Sequence, residues 1–326
     1  MNNVNALDIL QAKKGRRMTV EIPGATSNLG AGLDTFGLAL AIYCRLTFVL
    51  LEQNDPNIPY ITFSGSVVSE SLPEETGKLV YKILRELWQD NPQNLSRIRI
   101  HVDSEIPLGS GLGGGTAAIL GALWADQVFK DLVPTSDDLL ALATRWEGQG
   151  HSETFAASLM GNFITVAKCA TTDQVVACQH RWPDVWTLLI SVPPYRLNTK
   201  TSKSMLPDKV SFSDAMFNLQ RTALMVSAVV SADERALKEA LKDQLHEKYR
   251  ALLVPELASL REALSEEPIH GCVLSGGGPS LLVIVDVNFK PYIKKKMEKW
   301  AQSQDHPPQI FDVEVDRKGL TTLSVQ

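Results

Sequence analysis

Apolar residues recur along the chain at two spacings, every second position and every third or fourth, and the two alternate from segment to segment. Met18, Val20 and Ile22 alternate with Thr19 and Glu21, which predicts a first strand ending at Pro23 and Gly24. Cys44 to Leu50 and Tyr60 to Phe63 predict two more. From Lys78 to Trp88 the spacing changes, and Leu79, Val80, Ile83, Leu84 and Leu87 form a helical stripe, read as core. Ile98, Ile100 and Val102 alternate with Arg99, His101 and Asp103, predicting a strand with one apolar and one polar face. Ala117 to Trp124 is apolar and alanine-rich, the pattern of a buried helix. Thr135 and Ser136 offer an N-cap ahead of Asp137 and Asp138, and Leu139, Leu142, Ala143 and Trp146 carry that helix to Gly148 or Gly150.

Strand character returns from Gly161 to Lys168, and the stretch to Trp182 and Pro183 reads as a changeover between two domains. Trp186 to Val192 predicts a buried strand, Thr199 to Pro207 a hydroxyl-rich cationic loop, and Ser213 to Val230 a long helix. A further helix, capped by Ser231 to Glu234, runs through Leu237, Leu241 and Leu245 to Arg250. Cys272 to Leu274 and Leu281 to Val285 read as neighbouring strands, and Phe289 to Ala301 and Ile310 to Val315 as one more helix and strand. Strands and helices mixed in this way indicate an α+β architecture.

Composition narrows the picture. A length of 326 residues suits two domains, and 44% hydrophobic with 21% charged residues is ordinary for a globular chain. A net charge of -5 without a basic arm argues against nucleic acid as a partner. Lys294, Lys295 and Lys296 share a helical segment with Ile293, Met297 and Trp300 and read as its solvated face. The four cysteines lack CxxC spacing and read as reduced thiols. Residues 1–17 lack the apolar core of a secretory signal, and no run is long enough to span a bilayer. The expectation is a cytoplasmic protein without a membrane partner.

Candidate chemistry sits in the loops. Pro107 to Thr116 follows a predicted strand, leads into a predicted helix and holds Gly109, Gly111, Gly113, Gly114 and Gly115. Such a loop lets an anion approach backbone N–H groups, and the free N–H groups of the helix's first turn add partial positive charge. It lacks the lysine of GxxxxGK[ST] and the context of a dinucleotide fingerprint. Ala25 to Asp34 suits a hairpin turn, or one that points Asn28 and Asp34 into a cleft. Glu147, His151, Ser152, Glu153 and Thr154 form a polar cluster with two readings, a solvated inter-helix turn or a carboxylate for magnesium with a second acid handling a proton. Gly271 to Ser280 is a second glycine-rich loop, and Arg250 taken alone is a surface arginine.

Taken together these stretches resemble the GHMP kinases, the superfamily of galactokinase, homoserine kinase, mevalonate kinase and phosphomevalonate kinase. Three motifs occur in the family's order: Pro23 to Leu40, most similar to the homoserine kinase branch; Pro107 to Ala118, the ATP phosphate loop; and Leu274 to Ser280, a brace from the other domain. Thr199 to Pro207 and His246 to Arg250 also resemble segments of that branch. The resemblance implies a two-domain α+β fold, with a ribosomal protein S5 domain 2-like N-terminal domain over 1–170 and a ferredoxin-like C-terminal domain over 171–326. It implies transfer of the ATP γ-phosphate, with magnesium, to the side-chain hydroxyl of L-homoserine in threonine biosynthesis, and it allows a homodimer. ATP would be held by Pro107, Leu108, Gly109, Ser110, Gly111, Leu112, Gly113, Gly114, Gly115, Thr116 and Ala117, with Ser275, Gly276, Gly277 and Gly278. Asn28, Asp34, Thr154, Thr199, Lys203 and Arg250 fall where the amino acid is held, Glu147 and Thr116 where the metal is held, and Glu147, Glu153 and Thr116 take the catalytic roles.

Three departures stand out. The family's GLGSSAA appears as Gly111 to Ala117 with glycine for the metal-binding serine, leaving Thr116 as the nearest hydroxyl. Its HPDN segment appears as His151, Ser152, Glu153 and Thr154, and Lys203 stands for an arginine. A kinase for another small alcohol, or a catalytically silent nucleotide-binding homologue, are the alternatives these changes leave open.

Overall fold

The computed structural model describes residues 15–64, 72–107, 109–148, 150–172 and 174–326. Leu108 lies outside them, and so does the side chain of Thr199. The chain begins with a long hairpin, β1 (Gly15–Asn28) and β2 (Gly32–Leu51), paired from Gly15–Leu51 up to Asn28–Gly32. Pro23 does not end the strand. A register shift between Pro23 and Gly24 absorbs it, so β1 continues to Asn28 and the turn shrinks to Leu29–Ala31. The hairpin reading of Ala25 to Asp34 therefore holds, with longer arms than the alternation alone indicated.

β3 (Ile61–Ser64), α1 (Leu72–Leu87), α2 (Pro92–Arg97) and β4 (Ile98–Ser104) follow, β3 and β4 pairing in parallel across the helical connection. Both faces of β4 are covered, unlike the expected half-polar strand. Arg99 is fully buried, with its guanidinium 4.5 Å from the Tyr60 ring centroid, and His101 is held between the hydroxyls of Thr62 and Ser64. Buried polar groups with partners lose little, and that is how Arg99 and His101 occupy core positions.

Three helices cover this sheet: α3 (Gly114–Phe129), α4 (Ser136–Glu147) and α5 (Ser152–Met160). α3 is apolar nearly all round, and Trp124 is buried beside Phe48 of β2. α5 lies directly on β2, where a Cβ at Gly37 would sit 2.2 Å from the Glu153 carbonyl oxygen. Only glycine allows that approach, which brings the start of α5 down to the hairpin turn. β5 (Phe163–Lys168) pairs with β2, and β6 (Val175–His180) with β5.

The second sheet is antiparallel, in the order β10–β7–β9–β8: β7 (Trp186–Val192), β8 (Ile269–Leu274), β9 (Leu281–Asp286) and β10 (Gln309–Val313). The last strand, β11 (Thr321–Val325), returns to the first sheet beside β1, giving the order β11–β1–β2–β4–β3. Residue 170 thus lies inside the β5–β6 hairpin, the sheets change over between β6 and β7, and the chain's end crosses back.

The helices of the second half are α6 (Thr199–Ser204), α7 (Phe212–Ser231), α8 (Glu234–Ala240), α9 (Glu247–Arg250), α10 (Glu256–Ala263) and α11 (Lys290–Gln302). The expected Thr199 to Pro207 loop contains a helix, started by the Asn198 side chain accepting from the Lys200 N–H at 2.8 Å. The single helix expected from Ser231 to Arg250 is two. Asp233 caps the first, and Asp243 accepts the N–H groups of His246 and Glu247, both at 2.8 Å, so the backbone restarts as α9.

Candidate active site

The three glycine-punctuated segments converge. The β1–β2 turn, the loop after β4 and the loop between β8 and β9 meet at one cavity of about 350 Å³. The third loop is knitted to the other two. Gly276 N–H donates to the Ser27 carbonyl at 3.1 Å, Ser280 N–H to the Ser110 carbonyl at 3.1 Å, and the Asn28 amide to the Gly276 carbonyl at 2.7 Å.

The start of α3 lines this cavity. Its N-cap, Gly113, has φ 85° and no side chain caps the helix, whose first internal bond runs from Ala117 N–H to the Gly113 carbonyl. The N–H groups of the first turn stay available, and Gly113, Gly114, Gly115 and Thr116 line the cavity. A positive helix terminus with no Cβ in the way can receive an anion such as a phosphate. At Gly111, with φ 81°, a Cβ would meet the Ser275 carbonyl oxygen at 2.3 Å, so no other residue fits there. Gly115 is different: a Cβ there would meet nothing within 4 Å.

The cavity also holds opposite charges. Asp34 and Arg250 line the same cavity. Arg250 is buried, 3.2 Å from His246 Nδ1, and its guanidinium also faces the Ser202 and Gly276 carbonyls. Burial pulls its pKa down, while Asp34, Asp243, Glu153 and Glu247 push it up. The His246 ring is oriented by donating from Nε2 to the Gly30 carbonyl at 2.8 Å, which leaves Nδ1 to accept from Arg250.

Two further acids line the cavity. Glu153 is 1% exposed; its Oε1 accepts from the Thr154 hydroxyl at 3.1 Å and its Oε2 has no hydrogen-bond partner. Burial, reinforced by Asp34, pushes its pKa up to about 7. His151 Nδ1 lies 3.9 Å from Glu153, and burial together with Lys203 holds that imidazole below its ordinary pKa. Glu147, the last residue of α4, opens on the cavity with its pKa raised by desolvation and lowered by Lys203. The Lys203 ammonium packs against Gly150, 2.6 Å from where a Cβ would stand.

The cavity wall brings together Asn28, Asp34, Gly109, Gly111, Gly113, Gly114, Gly115, Thr116, Glu147, Glu153, Thr154, Lys203, Arg250, Gly276, Gly277 and Gly278 from the sequence reading. Others stand behind it. The Ser110 hydroxyl donates to the Pro107 carbonyl at 2.5 Å, and Ala117 is buried in α3. Pro107 and Leu112 line a separate small cavity, and the Ser275 hydroxyl reaches the Gly111 carbonyl at 2.7 Å. Asn28 is largely spent on structure, since its amide oxygen also accepts the Asp34 N–H at 3.1 Å. Sequence reasoning gave no site role to Ser27, Ser202, Trp146 and His246. Of these only His246 carried a local signal, standing one helical turn before Arg250.

A nucleotide-borne magnesium ion takes one or two protein oxygens, with phosphates and water supplying the rest. Thr116 and Glu147 both line the cavity and carry oxygens of the kind that such an ion takes. Among the described residues no group of three or more His, Cys, Asp or Glu side chains forms a dedicated metal cage.

Family models for the GHMP kinases N terminal domain and the GHMP kinases C terminal match residues 78–162 and 225–300. The chain belongs to the GHMP kinase family and is a two-domain kinase. Its relatives narrow the position within that family. A homoserine kinase of Desulfitobacterium hafniense is 30% identical over 93% of this chain and 99% of its own length. One from Synechocystis sp. is 29% identical over 94% and 99%. A solved homoserine kinase from Cytophaga hutchinsonii superposes with a TM-score of 0.78 at 20% identity, covering 94% of this chain and 97% of that one.

Proposed function

We propose that this kinase transfers the γ-phosphate of ATP to the side-chain hydroxyl of L-homoserine, giving ADP and O-phospho-L-homoserine, a step of threonine biosynthesis. The observation that carries the reading is a single cavity lined both by a helix N-terminus and by the opposite charges of Asp34 and Arg250. A polyphosphate suits the first, and the ammonium and carboxylate of an amino acid suit the second. The full-length match to homoserine kinases supports the same assignment.

In this reading the backbone of Gly111 to Thr116 cradles the phosphates, Asp34 holds the substrate ammonium, and Arg250 with Lys203 holds its carboxylate. Thr154 orients the side-chain hydroxyl. The bond between the γ-phosphorus and its bridging oxygen breaks as the homoserine oxygen bonds to phosphorus, and Glu153 accepts the hydroxyl proton. Its pKa of about 7 suits a proton acceptor at neutral pH. Magnesium, held by Thr116 and Glu147, would neutralise phosphate charge. ATP and an amino acid as co-substrates go with a cytoplasmic enzyme.

A coupled ADP-release assay over hydroxy amino acids, mevalonate and sugars tests the proposal. L-Homoserine is expected to give the highest kcat/KM, and a better non-amino-acid acceptor rejects the assignment. Glycine at 115 instead of a hydroxyl residue motivates the reading as a silent nucleotide-binding homologue, and calorimetric ATP binding without ADP release on any acceptor would select it.

A further inference from the structure

A second cavity, of about 470 Å³, lies on the far side of the segment that carries Arg250. Four cations, Lys238, Lys242, Lys248 and Arg261, line it. The two acids in its wall are already engaged. Asp243 accepts from the Asn218 amide and from the N–H groups of His246 and Glu247, and Glu247 accepts from the Leu274 N–H at 2.8 Å and from Arg261 at 2.6 Å. The partners of the three lysines, Glu234, Glu239 and Asp214, stand outside the wall, in exposed pairs of the kind that hold weakly. His270 supplies an independent sign. It is 6% exposed and lines the cavity, yet among the described residues neither ring nitrogen makes a hydrogen bond, Glu234 standing at ion-pair distance, 3.6 Å from Nδ1. A buried imidazole left unsatisfied in a cation-lined cavity is a group waiting for a ligand.

We infer that this cavity is a second binding site, for a small metabolite bearing two or more phosphate or carboxylate charges, and that its occupation alters the grip of the active site on the acceptor. The wall itself is the link. Asp243 accepts the N–H groups of His246 and Glu247 at the start of α9, and His246 in turn holds Arg250, which lines the active-site cavity from the other side. A ligand that draws Arg261 away from Glu247 also disturbs the Leu274 N–H bond at the root of the third loop.

The test titrates inorganic phosphate, and separately citrate, into full-length protein saturated with a non-hydrolysable ATP analogue and L-homoserine, followed by calorimetry. One equivalent of either anion is expected to bind, phosphate alone indicating a phosphorylated metabolite and citrate alone a polycarboxylate. Lys242→Gln and His270→Gln are each expected to weaken binding about fivefold or more, and the anion to shift the homoserine KM by about fivefold with the ATP KM unchanged. Lys242 is exposed, so its variant serves should His270→Gln fail to fold. Absence of binding, equal binding to both variants, or binding without a shift in the homoserine KM overturns the inference. The calorimetry needs no turnover, so its failure is distinguishable from failure of the homoserine assignment.

Discussion

Asn28, Asp34 and His151 line the active-site cavity with φ of 72°, 53° and 63°, in the left-handed region that non-glycine residues avoid. Each such residue costs about 1–3 kcal/mol and persists only where its neighbours over-determine it. Asn28 shows how, with its amide bonded to both Gly276 and Asp34. Glu153 stores a cost of a different kind. Its carboxyl is protonated in folded and unfolded chains alike below pH 4.5, so its contribution to stability is intact there and is lost as the pH rises through about 7. Glu153→Gln removes that loss. The variant should gain about 2.5 kcal/mol on the parent between pH 5 and pH 8, as read from urea unfolding at the two pH values. Parallel pH dependence of the two proteins would mean that Glu153 ionises as an ordinary carboxyl.

At the scale of elements, α4 delivers Glu147 to the cavity with its last residue, and its first turn is a capping box. Thr135 accepts the Asp138 N–H at 3.2 Å, while Asp138 accepts the Thr135 N–H at 2.9 Å. Thr135→Ala should destabilise the protein by about 1 kcal/mol in urea unfolding with the homoserine kcat unchanged, because the lost cap lies at the far end from Glu147. A fall in kcat instead would show that the whole helix sets the position of the acid. That cap was legible in the sequence, as were the long α7 helix and the three glycine loops, because each rests on contacts within a few residues. Arg99 and His101 misled because period-two alternation reports polarity, whereas burial depended on Tyr60, Thr62 and Ser64. The break before α9 was hidden because Leu241 and Leu245 continue the helical stripe while Asp243 takes the backbone N–H groups for itself. β11 was hidden too, its short alternation having meaning only beside β1.

Across the whole molecule, the glycine loop after β4 belongs to the first sheet and the loop between β8 and β9 to the second, and the cavity lies where the two meet. Ser275 is one tie between them. Its hydroxyl lies 2.7 Å from the Gly111 carbonyl and 2.8 Å from the Thr26 hydroxyl, joining the third loop to the second and to β1 at one point. The group is fully buried, so no water can replace it without rearrangement. Ser275→Ala leaves the Gly111 carbonyl without its side-chain partner, a loss of about 1–3 kcal/mol for a buried group. Part of that loss should appear in nucleotide binding. A loop held from the second sheet by one tie fewer must be ordered in part by the phosphates themselves, and the dissociation constant for ATP should rise by about tenfold, equivalent to about 1.4 kcal/mol. Calorimetric titration of ATP, paired with urea unfolding, separates the two contributions. Stability lost with ATP affinity unchanged would show that the first sheet alone shapes the phosphate loop, and that the second sheet contributes acceptor contacts without pre-forming the nucleotide site.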